Sequence, residues 1–218
     1  MNENRAKNPV LTNVSNRHIH LSKEDMETLF GKGHTLTKTK DLVQPGEHAC
    51  DETVTIQGPK RAIEKVRVLG PLRKQTQVEI FVTDAIRLGV NVCIRLSGDL
   101  AGSEPIKVIG PAGSIDLKEG CIVAKRHIHF TTKDAEFYGV KNGDSLKLKT
   151  EGERGLVFDN VIARVSDKMA LECHLDMEEA NAAGVKNRYT PAPASDLPPF
   201  GDRPPMPGQP SDNPPVQH

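Results

Sequence analysis

The phrase Arg-His-Ile-His occurs twice in this chain, and each copy opens the same kind of segment. "RHIHLSK" fills residues 17–23, and "RHIHFTT" fills residues 126–132. Farther along, residues 66–90 align without a gap to residues 161–185, and both blocks end in Gly-Val. An internal duplication with a short deletion in the second copy accounts for both alignments. The repeat therefore predicts two similar halves related by a pseudo-two-fold axis.

The segments within each copy are short and alternate apolar with polar residues. "VEIFV" at 78–82, "NVCIRLSG" at 91–98, "SLKLKT" at 145–150 and "LVFDNVIARV" at 156–165 are typical of strands. Gly-Pro pairs between such segments mark turns. Many short strands with small helical caps predict a mainly β fold, built as two similar β-barrels from the duplication.

Two short helices are indicated by capping signals. Ser22 with Asp25 precedes "EDMETLF", and Asp176 with Glu179 precedes "EEANAA". A capping residue followed three positions later by an acid is the signature of a helix start. A glycine follows each segment, so we expect both helices to end there.

The C-terminal stretch, residues 188–218, differs in composition from the rest. It holds most of the 16 prolines and few large apolar residues. Such a stretch cannot bury enough surface to offset its ordering entropy, so we predict a disordered Pro-rich tail. Its partner is unknown; a spacer is the simplest interpretation.

Charge and composition narrow the function classes. Lys+Arg and Asp+Glu are both 29, which favours neither nucleic acid nor a membrane surface as a partner. No apolar run is of membrane-spanning length, and the first residues lack the apolar core of a signal peptide. The 4 cysteines show no Cys-x-x-Cys spacing. We therefore expect a cytoplasmic protein with free thiols.

Four of the 8 histidines stand in the two His-x-His pairs. Strand residues i and i+2 point to the same face, so His18 and His20 converge, as do His127 and His129. The isoleucine between them faces the opposite side, toward a core. Two clustered imidazoles suit a divalent first-row metal. A single pair is weak evidence, but its duplication inside a longer repeat strengthens the metal hypothesis.

The second aligned block supplies a third ligand for each pair. Glu79 stands opposite His174 in the alignment, and both lie on short predicted strands before a helix. The first group is then His18, His20 and Glu79, and the second group is His127, His129 and His174. Three protein ligands with an open position indicate a catalytic zinc. His174 as a hydrogen-bonded histidine at a strand end is the alternative.

Arg73 is the next candidate, in a turn six residues before Glu79. Its repeat equivalent is Lys168, so a cation occupies both places. A guanidinium beside a metal pair suits bidentate phosphate binding. A solvated arginine in a loop is the alternative.

Five stretches of this chain, in order, resemble one family. They are "SNRHIHLS", "GPLRKQTQVEI", "RLSGDLAGS", "AKRHIHF" and "CHLDMEEANAAG", and they resemble the PduL-type phosphotransacylases, also called phosphate propanoyltransferases. The likeness covers about residues 10–187. It implies two β-barrels capped by short helices, with two zinc ions between them. It also implies interconversion of a short-chain acyl-CoA (propionyl-CoA or acetyl-CoA) plus phosphate with acyl phosphate plus coenzyme A.

The resemblance assigns roles to individual residues. Its zinc ligands fall on the six residues of the two groups, and its phosphate-site arginine falls on Arg73. Its coenzyme A contacts fall on Ser15, Lys40, Arg67, Leu69 and Asn181. Cys173 alternates with His174 and should point away from the metals, so we expect direct attack by phosphate without an acyl-enzyme.

The resemblance also implies a division of the chain and a setting. Residues 17–124 would form one barrel, residues 1–16 with 125–187 the other, and 188–218 the tail. A homodimer is an expectation of the family alone. Many members carry an N-terminal extension for bacterial microcompartments; only about ten polar residues precede the motif here. We therefore expect cytosolic action, or encapsulation through another signal.

Three other interpretations remain open. Residues 18–31 fit the cupin spacing His-x-His-x3-Glu-x6-Gly, with Glu24 as the carboxylate of a metal-dependent oxygenase. A dinuclear zinc hydrolase would use the same metals to deliver hydroxide. A non-enzymatic, metal-stabilised scaffold would instead close each ion with four protein ligands.

Overall fold

The structure, a computed structural model, describes residues 8–186, which form thirteen strands and four short helices. The first part contains β1 (Thr12–Ser15), β2 (His18–Ser22), α1 (Lys23–Phe30), β3 (Lys38–Asp41), β4 (His48–Gln57), β5 (Ala62–Arg73), β6 (Gln77–Ile80), α2 (Val82–Leu88), β7 (Ile94–Arg95), β8 (Glu104–Ile109) and β9 (Ser114–Ala124). The second part contains β10 (His127–Phe130), α3 (Thr132–Tyr138), β11 (Ser145–Lys149), β12 (Val157–Val165), β13 (Glu172–Asp176) and α4 (Met177–Ala183). The predicted tail at 188–218 lies outside the described residues.

The strands form two sheets. The larger has the order β3-β4-β5-β2-β6-β9-β7, and β8 pairs with β4 and β9. The smaller has the order β1-β13-β10-β12-β11. The first strand of the chain, β1, thus pairs in parallel with the last strand, β13. Within the described range, no helix has both the length and the apolar character that crossing a membrane requires.

The same arrangement of three strands appears once in each sheet. The strand β2 runs parallel to β5 and antiparallel to β6. Likewise, β10 runs parallel to β12 and antiparallel to β13. The registers match too: His18 faces Glu79, and His127 faces His174. Residues that align in the sequence therefore occupy matching places in the two sheets.

The arginine at the start of each repeated phrase forms an ion pair with an acidic residue in the first turn of a helix. The Nε of Arg17 lies 2.7 Å from Oδ2 of Asp84, and Nη1 of Arg126 lies 2.6 Å from Oε1 of Glu179. The same two carboxylates accept backbone N–H groups at the starts of α2 and α4. Arg17 therefore links β2 to α2, and Arg126 links β10 to α4.

The isoleucine of each His-Ile-His strand packs into a core, as the alternation predicts. Ile19 is 0% exposed and belongs to the core of the larger sheet. Ile128 is 4% exposed and belongs to the core of the smaller sheet. Because side chains alternate along a strand, this burial turns the flanking histidines to the opposite face.

Both predicted helices are confirmed, with their caps. The Ser22 hydroxyl accepts the N–H of Asp25, and the Asp176 carboxylate accepts the N–H of Glu179. Gly31 and Gly184 end the two helices. The bounds of α2 were not predicted, and α3 was not predicted at all, although Thr131 and Asp134 form a capping box at its start.

The mainly β fold is confirmed, but the two closed barrels are not. In the larger sheet β3 lies at one end of the strand order, is exposed throughout and carries Lys38 and Lys40, while β8 pairs with both β4 and β9. The smaller sheet ends at β11, which carries Lys147 and Lys149. Lysines on an exposed strand such as β3 or β11 oppose pairing with a further strand.

Two strand predictions change in extent. "VEIFV" pairs only as far as Ile80, because α2 begins at Val82. In "NVCIRLSG" only Ile94 and Arg95 pair, and the rest is loop. The longest strands, β4, β5 and β9, were not recognised as such, because their sequences mix many charged residues with the apolar ones.

The packing of Ile19 predicts a large loss of stability on truncation. Ile19→Ala should lower the free energy of unfolding by about 2–5 kcal/mol, since it leaves a cavity in a closed core. Urea denaturation measures the change. Ile94→Ala is the matched control, because Ile94 is 58% exposed; equal losses in the two variants would contradict the assigned orientation of β2.

Candidate metal centre

The structure brings all six predicted ligands into one cavity of about 610 Å³. Its walls come from both sheets, with β2 and β6 on one side and β10 and β13 on the other. Within each group, one donor atom per residue lies within 4.8 Å of the other two. Each group therefore has the donor number and spacing to hold one metal ion.

The first group combines two imidazoles with one carboxylate. The rings of His18 and His20 meet edge to face, with centroids 5.0 Å apart. The Nε2 of His18 lies 3.5 Å from Oε2 of Glu79. All three side chains are buried.

The second group consists of three imidazoles. The Nε2 atoms of His127 and His129 lie 3.1 Å apart. The ring of His174 has its centroid 4.9 Å from that of His127 and 4.8 Å from that of His129. Three imidazoles at this spacing match the donor set of a zinc site built from three histidines.

The tautomers of these histidines are set by groups that can only accept. The Nδ1 of His18 lies 2.7 Å from the carbonyl oxygen of Asn16, and that of His127 lies 2.8 Å from the carbonyl oxygen of Lys125. A carbonyl accepts, so each Nδ1 donates and each Nε2 keeps its lone pair. The Nδ1 of His129 is likewise directed at the sulfur of Met169, at 3.0 Å.

The residues present therefore fit a divalent metal. In the second group two lone-pair nitrogens, Nε2 of His127 and Nε2 of His129, face each other at 3.1 Å. Two acceptors cannot hydrogen-bond to each other, whereas a cation between them would satisfy both. In the first group, the buried Nδ1 of His20 has no hydrogen-bond partner among residues 8–186. Donation of the opposite ring N–H to a backbone carbonyl is the usual outer support of a metal-bound histidine.

Burial keeps the imidazoles in the form that binds metal. It lowers the pKa of His127 to about 4 and that of His129 to about 2, with neighbouring histidines adding to the effect. Burial also lowers the pKa of His20 well below its ordinary value. Burial opposes the charge on Glu79, but His18, His127 and Arg73 outweigh it and lower the pKa of that carboxyl. At neutral pH His20, His127, His129 and Glu79 are therefore unprotonated, as metal binding requires.

Arg73 lies in the same cavity, at the end of β5. Its Nη1 donates to Oγ of Ser97 at 3.1 Å, and its Nη2 donates to Oε1 of Glu47 at 3.2 Å. The amide of Gln77 donates to both Ser97 and Glu79. Ser97 and Gln77 therefore link the guanidinium to the carboxylate of the first group.

Besides Arg73, the cations that line the cavity are Arg17, Arg67, Lys125, Arg164 and Lys168. Lys168 is there, as expected for the repeat equivalent of Arg73. Arg164 also lines the cavity, and the sequence did not predict it. It is the strand partner of His129 between β10 and β12. Its equivalent in the other copy is Leu69. Burial and the neighbouring Arg73 lower the pKa of Arg164. A charge inside the apolar alternation of "VIARV" was the signal that could have found it.

The five predicted coenzyme A contacts divide into two sets. Ser15, Arg67 and Leu69 line the cavity. Lys40 lies on the exposed edge strand β3, and Asn181 lies on the exposed face of α4, so neither belongs to the cavity wall. The guanidinium of Arg67 donates to the carbonyl oxygens of Cys50 and Asp51. The binding roles of all five remain predictions.

The cysteines lie away from the cavity wall. Cys173 is fully buried in the core of the smaller sheet, while His174 next to it faces the cavity. Burial raises the pKa of Cys173, and it raises that of Cys121 to about 12. A buried thiol with a raised pKa is a poor nucleophile. The lining residues of the described chain therefore include no thiol.

Comparison with known proteins places this chain in a class. The sequence profile described as phosphate propanoyltransferase matches residues 11–186. A phosphate propanoyltransferase of Thermotoga maritima is 59% identical over 175 residues, which are 80% of this chain and 83% of the relative. The proteins of that name from Priestia megaterium and Salmonella typhimurium are 55% and 48% identical, over 84% and 83% of this chain and 84% and 86% of their own lengths.

The matches and the site together define an acyltransferase. The matched residues, 11–186, include both sheets and all six residues of the two three-donor groups. The chain belongs to the phosphate propanoyltransferase family.

The buried imidazoles predict a pH-dependent stability of the metal-free protein. His127 and His129 have folded-state pKa values below the ordinary 6.5, so the unfolded chain binds more protons below neutrality. The free energy of unfolding should therefore fall between pH 7 and pH 5, by up to about 1.4 kcal/mol per pH unit for each proton taken up. Urea denaturation with a chelator measures it. His127→Asn should flatten the slope; equal stability at both pH values would refute the prediction.

Proposed function

We propose that this chain transfers a short acyl group, propionyl or acetyl, between coenzyme A and phosphate at two zinc ions. The single observation that carries the proposal is the convergence of two three-donor groups and Arg73 on one cavity. The names of the relatives support the substrate class, and the donor chemistry supports the metal.

The six ligands would hold the ions in their two groups. Three donors in each group leave coordination positions for a substrate, as in catalytic zinc sites. Bound zinc would supply Lewis acidity toward the thioester carbonyl and a docking point for phosphate. The backbone acceptors of His18 and His127 hold the rings in the required tautomer.

The cationic side chains that line the cavity would bind the phosphate. Arg73 presents a planar guanidinium, which suits two oxygens of one phosphate. Lys168 and Arg164 add positive charge from the other sheet. In the reaction a phosphate oxygen bonds to the carbonyl carbon, the carbon–sulfur bond breaks, and coenzyme A leaves as the thiolate. Positive groups beside the developing charge lower the barrier.

Three of the proposed coenzyme A contacts, Lys40, Arg67 and Leu69, lie on β3 and β5 of the larger sheet, with β4 between these strands. Lys40 pairs with Ala49, and Ala49 pairs with Leu69 on the next strand. A long anionic molecule lying along this path would pass from the exposed edge strand to the cavity. This continuity supports Lys40 as a contact, although Lys40 lies outside the cavity wall.

The duplication and the two-part division of the chain are part of the proposal. Support comes from the matching strand pairs and from the arginine–acid pairs. A further contact points to the axis: the N–H of Thr83 donates to Glu178 at 3.1 Å, and these residues are equivalent in the repeat. Equivalent residues meet where a pseudo-two-fold axis passes. We also propose that the protein is cytoplasmic, which the free thiols of Cys50, Cys93, Cys121 and Cys173 support; cell fractionation would test this.

The rival interpretations make different demands on the site. The cupin interpretation needs Glu24 beside the histidines, but Glu24 is exposed in the first turn of α1. The scaffold interpretation needs four protein donors per ion, whereas each group has three. A dinuclear hydrolase would use the same residues, so only the reaction separates it from the transferase.

A thiol-release assay tests the function. Acetyl-, propionyl- or butyryl-CoA is supplied with and without phosphate, and free thiol and acyl phosphate are both measured. The proposal expects thiol release that requires phosphate and matches acyl phosphate formed. Release without phosphate would establish a hydrolase instead. Bound iron with oxygen uptake would establish an oxygenase.

Arg73 should be needed for turnover but not for metal binding. Arg73→Ala should lower kcat/KM by about 10²–10³-fold, since it removes a charge that balances the transition state. Zinc content, measured by elemental analysis, should not change. Arg87→Ala is the matched control, because Arg87 lies on the exposed last turn of α2. Unchanged turnover in Arg73→Ala would remove this residue from the mechanism.

Loss of one histidine from either group should lower the bound zinc. His18→Ala and His129→Ala should each lose about one equivalent, since two remaining donors hold an ion weakly. His34→Ala is the control: its imidazole pairs with Glu52 outside both groups. Elemental analysis after dialysis measures the metal. Full occupancy in both ligand variants would refute the ligand assignment.

A further inference from the structure

A buried carboxylate lies directly behind the second group. Glu172 is 0% exposed and lies on β13, two residues before His174. Its Oε2 lies 2.8 Å from Nε2 of His174, and its Oε1 has no hydrogen-bond partner within the part of the chain that the structure describes. Neither the repeat nor the resemblance assigned this residue a role.

The orientation of the neighbouring Gln44 shows that Glu172 accepts. Gln44 binds the backbone of Ala170 twice: its Nε2 donates to the carbonyl oxygen, and its Oε1 accepts the N–H. These two bonds define which end of the amide is nitrogen. The second Nε2 hydrogen is then donated to Oε2 of Glu172 at 2.8 Å. This oxygen is therefore an acceptor.

The same oxygen sets the tautomer of His174. Since Oε2 of Glu172 accepts, Nε2 of His174 donates to it, and the lone pair of that ring resides on Nδ1. A histidine that donates one ring N–H to a carboxylate and keeps the other nitrogen free is arranged as a metal ligand.

The first group has the complementary arrangement. At the position equivalent to Glu172 stands Gln77, whose amide donates to Oε1 of Glu79. A carboxylate ligand is thus supported by a donor, and an imidazole ligand is supported by an acceptor. Each group has one carboxylate: Glu79 among the donors of the first, and Glu172 one step behind the donors of the second.

With His174 neutral, as a metal ligand is, the hydrogen-bonded neighbours of Glu172 among the described residues carry no positive charge. It contacts the neutral amide of Gln44 and the imidazole of His174. A buried carboxylate is costly unless a charge compensates it. A divalent cation on the second group would supply that charge through His174.

We propose that Glu172 is the positioning residue of the second group: it accepts the N–H of His174, presents Nδ1 of that ring to a divalent cation, and balances the cation's charge. This inference rests on the metal site of the proposed function. The strands of the two groups match, but the residue that hydrogen-bonds the third ligand would differ: Gln77 donates to Glu79, whereas Glu172 accepts from His174.

The test measures metal affinity rather than turnover. The full-length protein is loaded with Co²⁺, and the visible absorption of the bound ion is followed during competition with a chelator. Wild type should release two equivalents. Glu172→Gln should hold one of them about 10- to 100-fold more weakly, with altered cobalt bands, while the other is unchanged.

Two backgrounds locate the affected ion. In His18→Ala, which retains the second group intact, adding Glu172→Gln should weaken the remaining ion. In His129→Ala, which retains the first group intact, the same addition should leave the remaining ion unchanged. Asp84→Asn is the control for loss of a buried carboxylate, because Asp84 is 3% exposed and pairs with Arg17; it should keep both ions.

The outcomes separate this inference from the proposed function. If wild type binds no Co²⁺ or Zn²⁺, the metal site itself fails. If wild type binds two ions and Glu172→Gln binds both with unchanged affinity and spectrum, only the role of Glu172 is overturned. Should Glu172→Gln not fold, Glu172→Asp carries the test, since the shorter side chain withdraws from His174. Wild-type affinity in Glu172→Asp would overturn the role equally.

Discussion

The site depends on the ladder between each His-Ile-His strand and the strand antiparallel to it. The register sets His18 opposite Glu79 and His127 opposite His174. A slip by one residue would turn the imidazoles toward the core and the isoleucine toward the cavity. Because Ile19 and Ile128 are buried, such a slip would expose apolar surface and bury polar rings. The hydrophobic packing that forms the sheets therefore also sets the positions of the six donors.

Gathering so many ionisable groups in one cavity is costly, and local hydrogen bonds reduce the cost. The carbonyl two residues before each pair, at Asn16 and Lys125, accepts the Nδ1 proton of the first histidine. This carbonyl belongs to the same short segment as the histidine, so a duplication of the segment would reproduce the hydrogen bond in both copies. The third donor needs support that depends on its chemical type, which is why Gln77 and Glu172 differ at equivalent places.

The sequence predicted what is local or repeated, and it missed what depends on distant pairing. The pattern of His-Ile-His and the alignment of Glu79 with His174 were enough to bring the donors together, because register follows from burial. Closure of a sheet is not a local property, so two barrels were expected, whereas the smaller sheet is open, with β1 and β11 at its ends. The contact of Gln44 with Glu172 joins residues 128 positions apart, and nothing in either neighbourhood indicates it.

The cavity exists only because the two sheets meet. Gln44, from the loop before β4, binds Ala170 and Glu172 beside the second group, so the larger sheet's part of the chain supports the smaller sheet's donors. In turn, His127 on the smaller sheet lowers the pKa of Glu79 on the larger sheet. Under the proposed function, phosphate and the thioester have to be held together for attack, and that requires both groups at one point. Neither half of the chain carries both groups, so the duplication of a single-ion half would create the two-substrate site only once the halves were packed together.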